Sequence, residues 1–188
     1  MNFEGDRQLI GRPFSSLSRR ELAHVRYPDG SKILKLRTAL REARELGITL
    51  MLDVKGNSAR DFKRVMDDVY ESEGESQVVV QCQAIEILAY MRERYPKVAV
   101  LARAHRESDV EALLGYAPEL VQIDHDWNVP GLVERIHEEG ARAVVKTLTV
   151  DTDTQKEWRR LCEAGVDIIL TDRPRDLLAA RMVWGDKP

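Results

Sequence analysis

From about residue 36 onward the chain repeats one pattern: an amphipathic helical stretch, a glycine or proline stop, then a short apolar run rich in Val, Ile and Leu. This repeat constrains the fold more than any single motif does. Near-continuous apolar strands alternating with helices imply a parallel sheet, because only burial on both faces tolerates so little polar alternation. Strands are predicted at Ile48 to Val54, Gln77 to Gln81, Val98 to Ala102, Leu120 to Asp124, Ala143 to Leu148 and Asp167 to Thr171. Helices are predicted over Leu36 to Leu46 and near 58–73, 84–94, 107–116, 130–139 and 152–164, with Gly47, Gly140 and Gly165 closing three of them. An α/β barrel and an open doubly wound sheet both fit. No glycine-rich phosphate loop follows any strand, which favours the barrel. The chain reads as a single domain over 1–188, with an irregular, insertion-like region at 1–35 and successive β/α units over 36–182.

Composition narrows the partners. With 43% hydrophobic and 32% charged residues, 188 residues suffice for one sizeable core and a well-solvated exterior. No run approaches the ~18 consecutive apolar residues of a membrane span, and Met1 to Asp6 has neither a basic region nor an apolar signal core. A net charge of -3 with interspersed signs offers no basic stripe, so nucleic acid is not an expected partner. Cys82, in an apolar strand, and Cys162, in a helical stretch, lack metal-type spacing and read as two buried thiols, which fits a reducing cytoplasm.

In a barrel of this type chemistry gathers at the C-terminal ends of the strands. The polar residues ending the apolar runs are Asp53 and Lys55, Gln81 and Gln83, Arg103, Asp124 and His125, Lys146 and Thr147, and Thr171 and Asp172. Met51 to Lys55 reads as a buried strand in which alternation points Asp53 and Lys55 the same way, into the barrel. An inward carboxylate beside an inward ammonium suits a hard metal with a lysine on a phosphate, or an imine-forming lysine. It also suits an ion pair that braces the barrel. The spacing does not choose among these.

The wording of the strands does. Ala164 to Pro174, Ala-Gly-Val-Asp-Ile-Ile-Leu-Thr-Asp-Arg-Pro, resembles the Gly-Val-Asp-Gly-Ile-Ile-Thr-Asp-Arg-Pro terminal strand of the glycerophosphodiester phosphodiesterase family. Lys146 to Asp151 is similar to the family's preceding Trp-Thr-Val-Asn/Asp run, Ile33 to Leu40 to its Ile-Pro-Thr-Leu-Glu-Glu-Ala-Leu helix start, and Leu52 to Lys55 to its Glu-Ile-Lys strand. The likeness runs from about Gly11 to Met182 in the family's order. It implies a TIM (β/α)₈ barrel and a place in lipid and glycerol metabolism. The implied reaction is hydrolysis of a small-molecule phosphodiester to glycerol 3-phosphate and an alcohol with Mg²⁺ or Ca²⁺. By that likeness Asp53 is a metal ligand and Lys55 the catalytic and phosphate-binding lysine. From their places at or just after strand ends, Lys55 and Gln81, Arg103, His125, Trp127 and Lys146 are the substrate-binding candidates.

The chain also departs from the pattern. The family's His-Arg-Gly strand, its Glu-x-Asp strand and its His-Asp pair have no counterpart in this sequence. We therefore expect an N-terminally truncated barrel with about six of eight β/α units, Met1 falling inside the run after the His-Asp strand. Its exposed strand edges would favour self-association. Of four histidines, His24, His105 and His137 read as structural or solvated, and His125, beside Asp124, is the site candidate. Lys146 stands where the family prefers tryptophan; it either meets a more anionic substrate or pairs with Asp124 or Asp172. Trp127 either lines a glycerol pocket or packs under its loop. Two other readings stay open: a catalytically inactive family member acting as a binding module, and a Schiff-base lyase using Lys55 or Lys146.

Overall fold

The computed structural model describes residues 12–13, 16–56 and 58–184. The short helix α1 (Arg19–Leu22) and an isolated antiparallel bridge between Arg26 and Lys32 precede the repeating part. Then follow α2 (Leu36–Leu46), β1 (Leu50–Asp53), α3 (Ala59–Glu71), β2 (Val78–Cys82), α4 (Ile85–Arg94), β3 (Ala99–Arg103), α5 (Val110–Leu114) and β4 (Leu120–Ile123). The last units are α6 (Val129–Glu138), β5 (Arg142–Lys146), α7 (Gln155–Glu163), β6 (Ile168–Leu170) and α8 (Pro174–Trp184). The six strands pair in parallel in the order β1-β2-β3-β4-β5-β6 and curl into an incomplete barrel, as the repeat implies. The expected helix at 107–116 is shorter: Glu107–Asp109 forms a 3-10 turn leading into α5. His24 lies in the turn after α1 and not in a helix.

The helices form where they do because their ends are specified. Gly47 terminates α2 at φ 65, a left-handed geometry that only glycine adopts without penalty, and Gly140 at φ 75 turns the chain from α6 toward β5. Ser58 and Thr154 cap α3 and α7, accepting the amides of Asp61 and Glu157. Helices α2 to α7 each then lay an apolar stripe on the sheet. Leu40, Phe62, Met66, Leu88, Met91, Val133, Ile136 and Leu161 meet the outward strand residues Val78, Val80, Val100, Ala102, Val121, Ile123, Ala143 and Val145 in one continuous core.

Two carboxylates pin the strands at the opposite end from the polar rim. Glu119 accepts the Val100 amide at 2.9 Å and the Arg92 guanidinium at 2.7 Å. Asp167 accepts the Ala143 amide at 2.7 Å and lies 2.8 Å from His137 Nε2, which gives that histidine its structural partner. Each bridges neighbouring strands near their starts, the end of a barrel associated with stability.

Two expectations need correction. β1 is not buried on both faces: it is an edge of the six-strand sheet, and Met51 on its concave side is 42% exposed. Only its other face packs, through Leu50 and Leu52. The two cysteines also differ. Cys82 is buried, which pushes its thiol up to about 12, whereas Cys162 is exposed because α7 turns Trp158 and Leu161 inward. Replacing the fully buried Met66 with alanine should destabilise the domain by about 2–5 kcal/mol in denaturant titrations, through lost transfer energy and an unfilled cavity.

Candidate functional site

The concave face of the sheet is organised by stagger. Through the strand registers, Gln81 of β2 aligns with Leu101 of β3 and then Leu120 of β4. Its side chain instead meets Gln122, two residues further along β4, donating from Nε2 to Oε1 at 3.4 Å. That contact skips β3. It marks the layering of a barrel interior, where side chains from alternate strands share one level. Applying the same step to the odd strands places Asp53, Arg103 and Lys146 together: Asp53 aligns through Gln81 with Leu101, two residues before Arg103, and Arg103 aligns through Gln122 with Val144, two before Lys146.

The interior is thus stacked by chemistry. Val79, Leu101, Leu120, Val144, Ile168 and Leu170 form an apolar plug. Buried Gln81 and Gln122 make a polar floor on it. Asp53, Arg103 and Lys146 come next, and Gln83 and Asp124 follow toward the mouth. Lys55 lies beyond the end of β1, largely exposed, with its ammonium on Asp53 Oδ2. Gln83 Nε2 reaches Asp53 Oδ1 at 3.5 Å, and Lys146 Nζ lies 3.9 Å from Asp124 Oδ1. The Arg103 side chain has no hydrogen-bond or ion-pair partner among the described residues. Asp53 and Lys55 therefore form a solvent-accessible pair and not a buried brace.

The remaining candidates sit at the edge. His125 Nδ1 lies 3.7 Å from Glu157 Oε1, while its carbonyl accepts from Arg160 at 2.6 Å. Arg160 also donates to Glu157 at 3.0 Å and holds that carboxyl below its usual range. Trp127 packs against the main core, the packing alternative for this residue. His105 Nε2 lies 3.0 Å from the Gln83 carbonyl, a structural contact. Among the described residues no three His, Cys, Asp or Glu side chains gather into a metal-sized group, so Asp53 is a single carboxylate without companion ligands.

One cluster escaped sequence reasoning. Buried Asp153 accepts from Thr147 Oγ1 at 2.8 Å, Trp158 Nε1 at 2.9 Å and Thr171 Oγ1 at 2.5 Å, and its Oδ2 accepts the Asp172 amide at 3.1 Å. Burial raises the carboxyl's pKa, but the bonds from Thr171, Thr147, Trp158 and Asp172 outweigh it and hold it below the ordinary range. Asp153 ties the C-terminal ends of β5 and β6 to α7. Thr147 and Thr171 were visible as strand-end polars, but their common partner lies in the loop before α7, and no local spacing announces it.

A sequence profile of the glycerophosphoryl diester phosphodiesterase family matches residues 40–176. The chain belongs to this family. Solved structures share the fold at low identity. A Galdieria sulphuraria protein assigned as a glycerophosphodiester phosphodiesterase is 19% identical, with TM-score 0.80 over 94% of this chain and 77% of its own. A glycerophosphoryl diester phosphodiesterase from Parabacteroides distasonis is 20% identical, with TM-score 0.74 over 90% of this chain and 65% of that one. A phosphodiesterase from Oleispira antarctica, solved with the product sn-glycerol-3-phosphate, is 16% identical, with TM-score 0.62 over 77% and 60%. No curated protein sequence matches. The family match includes all six strand ends and Asp153 with its partners, so this phosphodiesterase-family domain keeps its rim within the matched region.

Because the Asp153 carboxyl sits below its unfolded value, its stabilisation is present above about pH 4 and is lost as pH falls through the folded value. Asp153→Ala should therefore cost about 2–4 kcal/mol at pH 7, because it removes the acceptor shared by Thr147, Trp158, Thr171 and the Asp172 amide. Urea titrations should show this gap narrowing below about pH 4.

Proposed function

We propose that this domain is the greater part of a barrel that hydrolyses glycerophosphodiesters to glycerol 3-phosphate and an alcohol. The observation that carries the reading is the family match over residues 40–176 together with a charged layer at the C-terminal strand ends of that region. In this reading Lys55 places its ammonium on the non-bridging phosphate oxygens and offsets the charge that grows there in the transition state. Gln81 and Gln122 present amide donors and acceptors to hydroxyls of the glycerol unit, and Arg103 and Lys146 face the substrate from the far side. His125, near Glu157, borders the mouth, and Trp127 supports its loop.

The family is generally metal-dependent. A carboxylate oxygen is the right type of donor for Mg²⁺ or Ca²⁺, yet the described residues supply Asp53 alone, which does not make a site. No step is therefore routed through a metal. We infer that the missing ligands, and the two histidines the resemblance implies, come from two further strands that would pair with the open edges of β1 and β6, or are supplied there by another chain. No helix of the described residues is long and apolar enough to cross a membrane. Two free cysteines accord with a cytoplasmic setting.

A second reading has its own support. The lack of a three-ligand group among the described residues favours a binding module that holds phosphodiesters without turnover. An imine-forming lysine fits less well: Lys55 is 79% exposed and paired with a carboxylate, far from the desolvated setting that activates an amine.

The deciding assay is release of glycerol 3-phosphate from a glycerophosphodiester by this chain and by an upstream-extended version, each with and without Mg²⁺ or Ca²⁺. Turnover is expected in the extended form with metal, and Lys55→Ala there should lower kcat/KM by about 100-fold with unchanged thermal stability. Binding without turnover in the extended form would favour the binding module. Equal metal-dependent activity in both forms would contradict the assignment of ligands to upstream strands.

A further inference from the structure

The layer holding Asp53, Arg103 and Lys146 carries two cations and one carboxylate. The carboxylate is engaged by Lys55, and the nearest acid to Lys146, Asp124, stands at 3.9 Å, the limit of an ion pair. The Arg103 side chain has no partner among the described residues. An arginine held half-buried at the end of a central strand, above two buried glutamines and without an acid, is a planar fork of donors open to an incoming anion. Lys146 arrives at the same level from β5, two strands away, so one anionic group lying over β4 can meet both. Gln122, between them on β4, adds an amide to the same position.

The position of Lys55 matters. It stands two residues past Asp53, beyond the end of β1 and with its ammonium on Asp53, and not in the layer of Arg103 and Lys146, which lie two and four strands along the sheet. With the reacting phosphate assigned to Lys55, Arg103 and Lys146 are left for a second anionic group.

We propose that Arg103 and Lys146 form a second anion subsite that selects glycerophosphodiesters whose alcohol portion carries its own anionic group. The inference rests on the phosphodiesterase reading for the position of the reacting phosphate and adds the class of head group. It assigns to Arg103 a bidentate grip on the second anion and to Lys146 a point charge beside it. Asp124, at the edge of Lys146, tempers its charge and disfavours a cationic head group less strongly than a bare lysine would.

The test compares glycerophosphoinositol with glycerophosphoinositol 4-phosphate, which share an alcohol and differ by one phosphate, by calorimetric titration of the extended chain at two salt concentrations. Glycerol 3-phosphate serves as the probe of the primary site. The phosphorylated head group should bind about 10-fold or more tightly, and the preference should shrink as salt rises. Arg103→Gln with Lys146→Met should bring the ratio close to one, while Lys146→Arg should keep it. Equal affinity for the two diesters, or a preference that survives the double substitution, would overturn the subsite while leaving the phosphodiesterase reading intact if glycerol 3-phosphate still binds. Failure of all three ligands to bind would contradict both.

Discussion

Everything at the site depends on the stagger between parallel strands. A single contact, Gln81 with Gln122 across the intervening β3, reveals that neighbouring strands are offset as in a closed barrel even though the six strands leave the ring open. That offset sorts the inward side chains into levels and decides which residues, distant in sequence, can act on one molecule. Without it, Asp53, Arg103 and Lys146 would be polar ends of separate strands. With it, they are one charged layer on an apolar plug.

The plug and the layer are coupled energetically. Glutamines can be buried at the floor because each amide finds a partner or retains contact with the concave opening, and the apolar residues beneath exclude water from their other side. The pinning carboxylates Glu119 and Asp167 hold the strand starts, and Asp153 holds the ends of β5 and β6, so Lys146 is carried on a strand fixed at both ends. β1 is different. It has a neighbour on one side only, its concave face is open at Met51, and the Asp53–Lys55 pair it bears is accessible to water. The half of the site that would hold a reacting phosphate is thus the less supported half, consistent with a role completed by strands that cover this edge.

Much of the fold was legible because the apolar runs are long relative to their strands and the glycine stops are unambiguous: Gly47 and Gly140 adopt the left-handed geometry their positions implied. Strand ends were legible too, since Asp53, Gln81, Arg103 and Lys146 interrupt Val- and Leu-rich runs. What could not be read was which ends share a level, because that depends on register and on curvature, properties of pairing and not of any one strand. Gln122 was passed over inside an apolar run, and Asp153 lay in a loop whose partners are 6 and 18 residues away. The exposure of β1 likewise follows from its place at the sheet edge, and an isolated strand's composition carries no such information.

The central claim is that the strand ends of the concave face form one ligand site ordered by stagger. Mapping backbone amide shifts by nuclear magnetic resonance during titration with glycerol 3-phosphate tests it most directly. The account predicts perturbations that cluster at Asp53 to Lys55, Gln81 to Gln83, Arg103, Gln122 to Asp124 and Lys146, on five different strands saturating with one affinity. Shifts concentrated instead on the helices, or at the strand starts around Glu119 and Asp167, would contradict it.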